Sequence, residues 1–416
     1  MCTTPPSRCI RRISAMSYPA MPRTPHPTNI IMKSKITIRE IFQDHWETFT
    51  KEYPGDMIRP VVHSEVQKVI SCGDPSGGFA MYCCPHCGAY KIVPFRCHSR
   101  FCNTCGVAYQ SQRAEVISSK LFNCNHRHIV FTIAEELRWY FRKDRRLLDV
   151  LFRSAAQTIS DWLYEQNHSR NFKAGMICGL HTFGRDLKWN PHIHMIITEG
   201  ALDCNEKWKN IRFFPYTMLR SRFMTTLLFN MKQALDPDSF SLSDFKALTN
   251  RLYKTKNNGF YVNAPPAELG STEAIVNYVI RYIGRPVMAQ SRITAYDGTD
   301  VTYWYQRHED NEKVTVIESA SEFIKKLIIH IPEKHFNMLR YYGLYAKGPS
   351  AYPDLIRRIS KPVRKIRRTL LKWRYALEIS FGKDPLDCPC GHSMEFSGIY
   401  HPQYCTHPPP FMLEYV

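Results

Sequence analysis

Asn190-Pro-His192-Ile-His194-Met-Ile-Ile-Thr-Glu199 is the stretch on which the reading of this chain turns. Ile193, Met195 and Ile197 recur with the two-residue period of a strand that has one face in a core, so His192 and His194 project together from the other face and can share a metal ion. Residues 174–183 form the strand before it, and the polar stretch 184–191 is the turn between them. Upstream, residues 128–133 (His-Ile-Val-Phe-Thr-Ile) carry the β-branched enrichment of another buried strand. Apolar residues at helical spacing mark 147–166 and 216–235. Strands and helices intermixed in this way specify an α+β fold.

Working outward, residues 36–67 read as short helices leading into a cysteine-rich block at 72–105, and 109–121 as a further helix. Residues 259–262 are a short strand, and a helix capped by Ser271 or Thr272 ends near Gly284 and Pro286. Residues 292–305 and 313–317 form a hairpin or small sheet with Asp297-Gly298 as its turn; 321–330 is a helix, and 353–379 a strongly basic helical region. The expected organisation is a disordered arm at 1–31, a zinc-binding DNA-recognition domain at 32–120, a catalytic domain at 121–348, and a basic C-terminal region with a small Cys/His group at 349–416.

The 416 residues include 56 Lys and Arg against 37 Asp and Glu, a formal charge of +19. Such a surplus points to a polyanionic partner, with nucleic acid ahead of an anionic membrane surface. No apolar run is long enough to span a bilayer. The first 29 residues are rich in Pro, Ser, Thr and Arg without the apolar core of a secretory signal, so they read as an arm or as sequence upstream of a start at Met32. Without such a signal the expected location is the cytoplasm. In a reducing compartment the 15 cysteines imply metal ligation where they cluster.

They do cluster: Cys72, then Cys83-Cys84-Pro-His-Cys87-Gly, then Cys97-His98-Ser-Arg-Phe-Cys102-Asn-Thr-Cys105-Gly. Cys84/Cys87 and Cys102/Cys105 are two Cys-x-x-Cys turns, each followed by Gly, that would aim four thiolates at one structural zinc. Cys97 is a further candidate ligand; Cys72, Cys83 and His98 are alternatives, and a second ion fits the count. Arg96 and Arg100, among Lys91, Phe95 and Phe101, suit DNA docking.

About eighty residues after the histidines comes Asn277-Tyr278-Val-Ile-Arg281-Tyr282-Ile-Gly284-Arg285-Pro286. Tyr278 and Tyr282, at i and i+4, share one helical face. A tyrosine hydroxyl with its pKa near ~10 needs its nucleophilicity raised or the phosphate polarised, and a divalent ion (Mg or Mn) at His192 and His194 would polarise the phosphate. Arg281 and Arg285 flank the pair, to neutralise the phosphate or to face solvent. Taken singly, either pair is also the pattern of ordinary core packing; it is their joint occurrence that points to chemistry. Arg364 and Arg367 belong to a run of nine cations without an acid between Arg357 and Tyr375, suited to tracking phosphates or to a solvated face. Pro362 breaks that run as a single helix.

The cysteine block, Leu180-His181-Thr-Phe-Gly-Arg-Asp-Leu187 leading into the His-x-His strand, the Tyr278/Tyr282 helix and His335-Phe-Asn-Met-Leu-Arg340-Tyr-Tyr-Gly343 occur in one order. In that order the chain, from about Ile36 to Met394, resembles the insertion sequence ninety-one family of rolling-circle transposases, two-tyrosine members of the HUH nuclease superfamily. The resemblance implies an HUH antiparallel sheet with flanking helices, metal ligands at His192 and His194, nucleophiles at Tyr278 and Tyr282, a 5′-phosphotyrosine intermediate, and single-stranded mobile-element ends and target DNA as substrates. It also implies a third polar ligand, for which His181 and Gln290 are the candidates. Asp186 is either a residue that orients an imidazole or a turn residue. The tail's Cys388-Pro-Cys390 has one residue between cysteines where a knuckle has two, although His392, Cys405 and His407 could complete a site. A plasmid replication initiator or relaxase of the same chemistry, and a zinc-dependent DNA-binding protein without nuclease activity, are the alternatives.

Overall fold

The computed structural model describes residues 36–54, 57–103, 105–106, 117, 121–122, 124–211, 213–263, 287–307, 309–346, 374 and 384–403. The arm at 1–31, nearly all of the helix expected at 109–121, Tyr278, Arg281, Tyr282 and Arg285, Arg364 and Arg367 in the basic region, and Cys405 and His407 lie outside the described residues.

In chain order the elements are α1 (Ile38–Glu52), α2 (Pro60–Ile70), β1 (Phe79–Cys83), β2 (Tyr90–Pro94), β3 (His126–Thr132), α3 (Arg138–Lys143), α4 (Leu147–Gln166), β4 (Lys173–Phe183), β5 (Trp189–Leu202) and β6 (Trp208–Asn210). There follow α5 (Tyr216–Ala234), α6 (Leu242–Thr255), β7 (Tyr261–Asn263), β8 (Ile293–Tyr296), β9 (Asp300–Gln306), β10 (Lys313–Ser319), α7 (Ala320–Ile328), β11 (Leu339–Gly343) and β12 (Glu395–Tyr400). The chain is α+β with antiparallel sheets.

The chain falls into two compact units, one holding 37–70 and 97–385, the other 71–96 together with 386 onward. This differs from the linear division at 120 and 348. The cysteine block is split between the units and the tail joins its first half, because β12 pairs with β1 from Phe79 opposite Tyr400 to Cys83 opposite Glu395.

In the larger unit the main sheet runs β11-β4-β5-β3-β7, with β6 on β5. The alternation read in β5 holds: Ile193, Met195 and Ile197 are fully buried. With Phe131, Cys178 and Leu180 of the neighbouring strands they share one core with α4, α5 and α6. The other face buries Ile177, Ile196 and Leu202 with Phe122, Leu344 and Tyr345. Strand β11 closes the edge. Its Arg340 pairs with Asp149 of α4 and lies 4.4 Å from the Phe152 ring centre. Gly343, at φ 58°, sits where a Cβ would strike the Ala174 carbonyl oxygen. The Arg340-to-Gly343 phrase is thus a structural fastener.

Strands β8, β9 and β10 form a second sheet in this unit. Asp297 makes its turn by accepting from the backbone N–H groups of Thr299 (2.8 Å) and Asp300 (2.7 Å), which hold its carboxyl down at about 2. Ser319 caps α7 through Glu322 N–H. The smaller unit is a three-stranded ribbon in the order β12-β1-β2.

Candidate metal centres

Register builds the histidine centre. On β5, His192 and His194 share a face; on β4, His181 stands directly opposite His192. The three imidazoles offer ligand nitrogens that all lie within 4.8 Å of one another. The ring centres of His181 and His194 are 4.4 Å apart, and those of His192 and His194 4.9 Å. His181 and His194 are buried and His192 is partly open. Burial, reinforced by the neighbouring imidazoles, holds His194 well below its ordinary pKa, so the ring is neutral at pH 7, the form that binds metal. Gln290 lies in the short turn Gln290–Arg292 ahead of β8, and Asp186 accepts from the Lys188 backbone N–H at 3.2 Å, a turn role.

The outer partners engage one nitrogen of each β5 imidazole. His192 Nδ1 is 2.7 Å from the Asn190 carbonyl oxygen, to which it donates. His194 Nδ1 is 2.9 Å from Nε2 of His128, on β3. With both Nδ1 positions engaged, Nε2 is the nitrogen of each ring suited to an ion, and a donating His194 Nδ1–H requires His128 to accept. These residues therefore fit a divalent metal. The sequence reading passes over His128. Its signal was a histidine heading a buried strand, but which strand lies beside β5, and in what register, is not written locally.

Two other buried histidines brace the sheet. His126 Nε2 lies 2.6 Å from the Tyr345 hydroxyl, and burial pushes its pKa down to about 4. His330 lies between the Leu187 carbonyl (2.9 Å) and the Thr182 hydroxyl (3.1 Å), pushed down to about 3 by burial.

The cysteines do not gather as one four-thiolate finger. In the larger unit Cys97, Cys102 and Cys105 come together, with Cys97 and Cys105 sulfurs 3.6 Å apart. In the smaller unit Cys84 and Cys87 meet Cys388 and Cys390 instead. The cause is topological: the turn between β1 and β2 carries the first pair, and β12 brings the second beside it. Backbone N–H groups of Cys87 and His86 hold the Cys84 thiol down at about 6, which favours thiolate.

Of the arginines expected at DNA, Arg96 and Arg100 fall among the described residues; Arg96 ends the strip after β2 and its guanidinium lies against Gly73. Composition did not reveal a cleft of about 510 Å³ in the larger unit, lined by Arg59, Arg142, Lys143, Arg145 and Arg146 with Asp149 and Glu333. Burial, together with Arg59 and Arg142, lowers the Arg145 guanidinium to about 9, against the opposing charge of Glu333.

Cysteine knuckles, a three-imidazole sheet and a strongly basic chain define the class: a zinc-binding protein that acts on DNA. Comparison with known proteins gives the family. A model described as "Transposase zinc-binding domain" matches residues 41–133, and one described as "Putative transposase" matches residues 175–351. The transposase for insertion sequence element IS801 of Pseudomonas savastanoi pv. phaseolicola is 29% identical over 296 residues, 70% of this chain and 71% of the relative. "Putative transposase y4qJ" of Sinorhizobium fredii (strain NBRC 101917 / NGR234) is 24% identical over 392 residues, 88% of this chain and 97% of the relative. No solved structure matches. The chain belongs to the IS91 family of rolling-circle transposases: it is a transposase, it works on DNA, and its cysteine block is a zinc-binding domain. Among the described residues no helix is long and apolar enough to cross a membrane.

Proposed function

We propose that this transposase nicks and rejoins single-stranded DNA at the ends of a mobile element, with Tyr278 and Tyr282 as nucleophiles and His181, His192 and His194 as ligands of one Mg or Mn ion. The observation that carries the reading is the meeting of three imidazoles on two adjacent strands, with Nδ1 of His192 and of His194 already engaged. When bound, the ion supplies Lewis-acid polarisation of the scissile phosphate. The chain's own groups do the rest. One tyrosine Oη attacks phosphorus, the P–O3′ bond breaks, the 5′ side stays on the tyrosine as a phosphodiester, and the 3′ oxygen leaves as a hydroxyl. The second tyrosine repeats the step on another strand, and the free 3′-OH attacks a phosphotyrosine to rejoin DNA. His128 holds the His194 ring, and Asn190 the His192 ring, in the orientation that presents Nε2.

The cysteine-rich regions dock DNA, aided by Arg96 and Arg100; Arg281 and Arg285 neutralise the attacked phosphate, and Arg364 and Arg367 track the backbone. The cleft lined by Arg142, Arg145 and Arg146 extends that phosphate surface. In the larger unit Cys97, Cys102 and Cys105 contribute three thiolates to a structural zinc.

The test incubates the purified protein with oligonucleotides bearing the element ends and Mn or Mg, and resolves protein-linked DNA on a denaturing gel. Tyr278→Phe combined with Tyr282→Phe abolishes the linked product; persistence of that product removes the tyrosines from the reaction.

A further inference from the structure

The geometry points to a second zinc centre, made of Cys84, Cys87, Cys388 and Cys390, which fastens the C-terminal tail into the zinc-binding domain. All four sulfurs lie within 4.8 Å of one another. Two approaches cross between the pairs: Cys84 to Cys390 and Cys87 to Cys388, each 3.5 Å. A disulfide would bring two sulfurs to ~2.05 Å. A tetrahedron of sulfurs ~2.3 Å from zinc has edges of ~3.8 Å, close to what is seen.

Each half of the site is a tight turn that ends on a left-handed glycine. In the first, Gly88 (φ 72°) donates to the Cys84 carbonyl at 3.0 Å and Cys84 N–H to Ala89 at 2.7 Å. In the second, Gly391 (φ 86°) donates to the Cys388 carbonyl at 2.9 Å and Cys388 N–H to His392 at 2.9 Å. The two turns have the same build although one has two residues between its cysteines and the other one. Their common footing is the β1–β12 pairing and a small core of Cys84, Leu386, Cys388 and Met394. That core is too small to order the turns without an added tie. His86 and His392, stacked 4.0 Å apart and exposed, with Cys390 form a competing donor set. The four thiolates have the better claim, because they come from two matched turns and complete a tetrahedron.

The partners lie 306 and 301 residues apart in sequence, so the tail belongs physically to the domain at the other end of the chain. The matched zinc-binding region, 41–133, holds only Cys84 and Cys87 of the four. The inference does not depend on the nuclease reading.

Alkylation of the wild-type, zinc-loaded protein tests it without any variant. Cys87, Cys390 and Cys204 are all exposed. Ligation predicts that Cys204 reacts at once while Cys87 and Cys390 stay protected together with Cys84 and Cys388, and that a chelator releases all four at the same rate. Equal reaction of Cys87, Cys390 and Cys204 before chelation overturns the site. In parallel, Cys388→Ser combined with Cys390→Ser lowers zinc by one ion per chain, whereas His86→Ala combined with His392→Ala leaves the zinc count unchanged. Loss of an ion in the histidine variant, or none in the cysteine variant, overturns the four-thiolate assignment in favour of the competing set or of no ion.

Discussion

The histidine centre and the cysteine ribbon gather their candidate ligands by opposite means. His192 and His194 are two residues apart on one strand, and His181 and His128 arrive from strands hydrogen-bonded to it, so the sheet that forms the core also forms the site. The ribbon joins two short turns from far ends of the chain over a four-residue core, and holds itself by the ion it would bind. A site inside a large hydrophobic core keeps its shape without metal, whereas one on a small ribbon has its folding energy in the metal.

Chelation should separate the two regions most sharply. Removing zinc forfeits on the order of 10 kcal/mol of coupled binding and folding. Amide hydrogen exchange in β1, β2 and β12 is then expected to rise to the unprotected rate while β3, β4 and β5 stay protected; equal loss in both would break the contrast. Next in size, His194→Ala is expected to lower cleavage by about three orders of magnitude, the several kcal/mol of an assisting metal, with zinc content unchanged. Titration of Mn binding together with a nicking assay reads this, and a fall in zinc would mean the two centres are not separate.

His128→Ala tests whether orientation by a neighbouring strand matters. It is expected to weaken Mn binding roughly 10–100-fold, with partial recovery in His128→Gln, whose amide oxygen can accept from His194. A purely packing role would leave Mn affinity unmoved. The smallest effect is on stability against pH. His126 and His330 are held neutral, at about 4 and about 3, by burial. Unfolding returns them to the ordinary value near ~6.5, so the unfolded chain binds more protons below that pH. Stability should be insensitive to these groups above pH 6.5 and fall by about 1.4 kcal/mol per pH unit per histidine as pH drops below it. Chemical denaturation at pH 7.5, 6.5 and 5.5 reads the slope; a flat profile would mean that both rings are charged in the native state.

Strand β5 and helix α4 are legible because burial on one face leaves a period in the sequence, and Leu147–Gln166 coincides with the span its periodicity marks. Helix α6 is passed over although Ser241 caps it and Phe245, Leu248 and Leu252 carry the spacing; its polar face dilutes the pattern. The β1–β2 hairpin is hidden because its turn consists of the zinc-type residues that read as a knuckle alone. Cys388-Pro-Cys390 looks unsuited to a knuckle by spacing, yet the turn closes on Gly391 with the same hydrogen bonds as its partner.

Local chemistry alone therefore determined that His192 and His194 share a face, that Cys84 and Cys87 share a turn, and that the chain is basic enough to seek DNA, because these follow from strand period, turn geometry and charge. Tertiary structure decided which groups complete each site. His181 and His128 reach their places through the register of β4 and β3 against β5, and Cys84 finds Cys390 rather than Cys105 through the pairing of β12 with β1. Register and strand order are set by the burial of whole faces, a property of the assembled sheet that no short stretch of sequence contains.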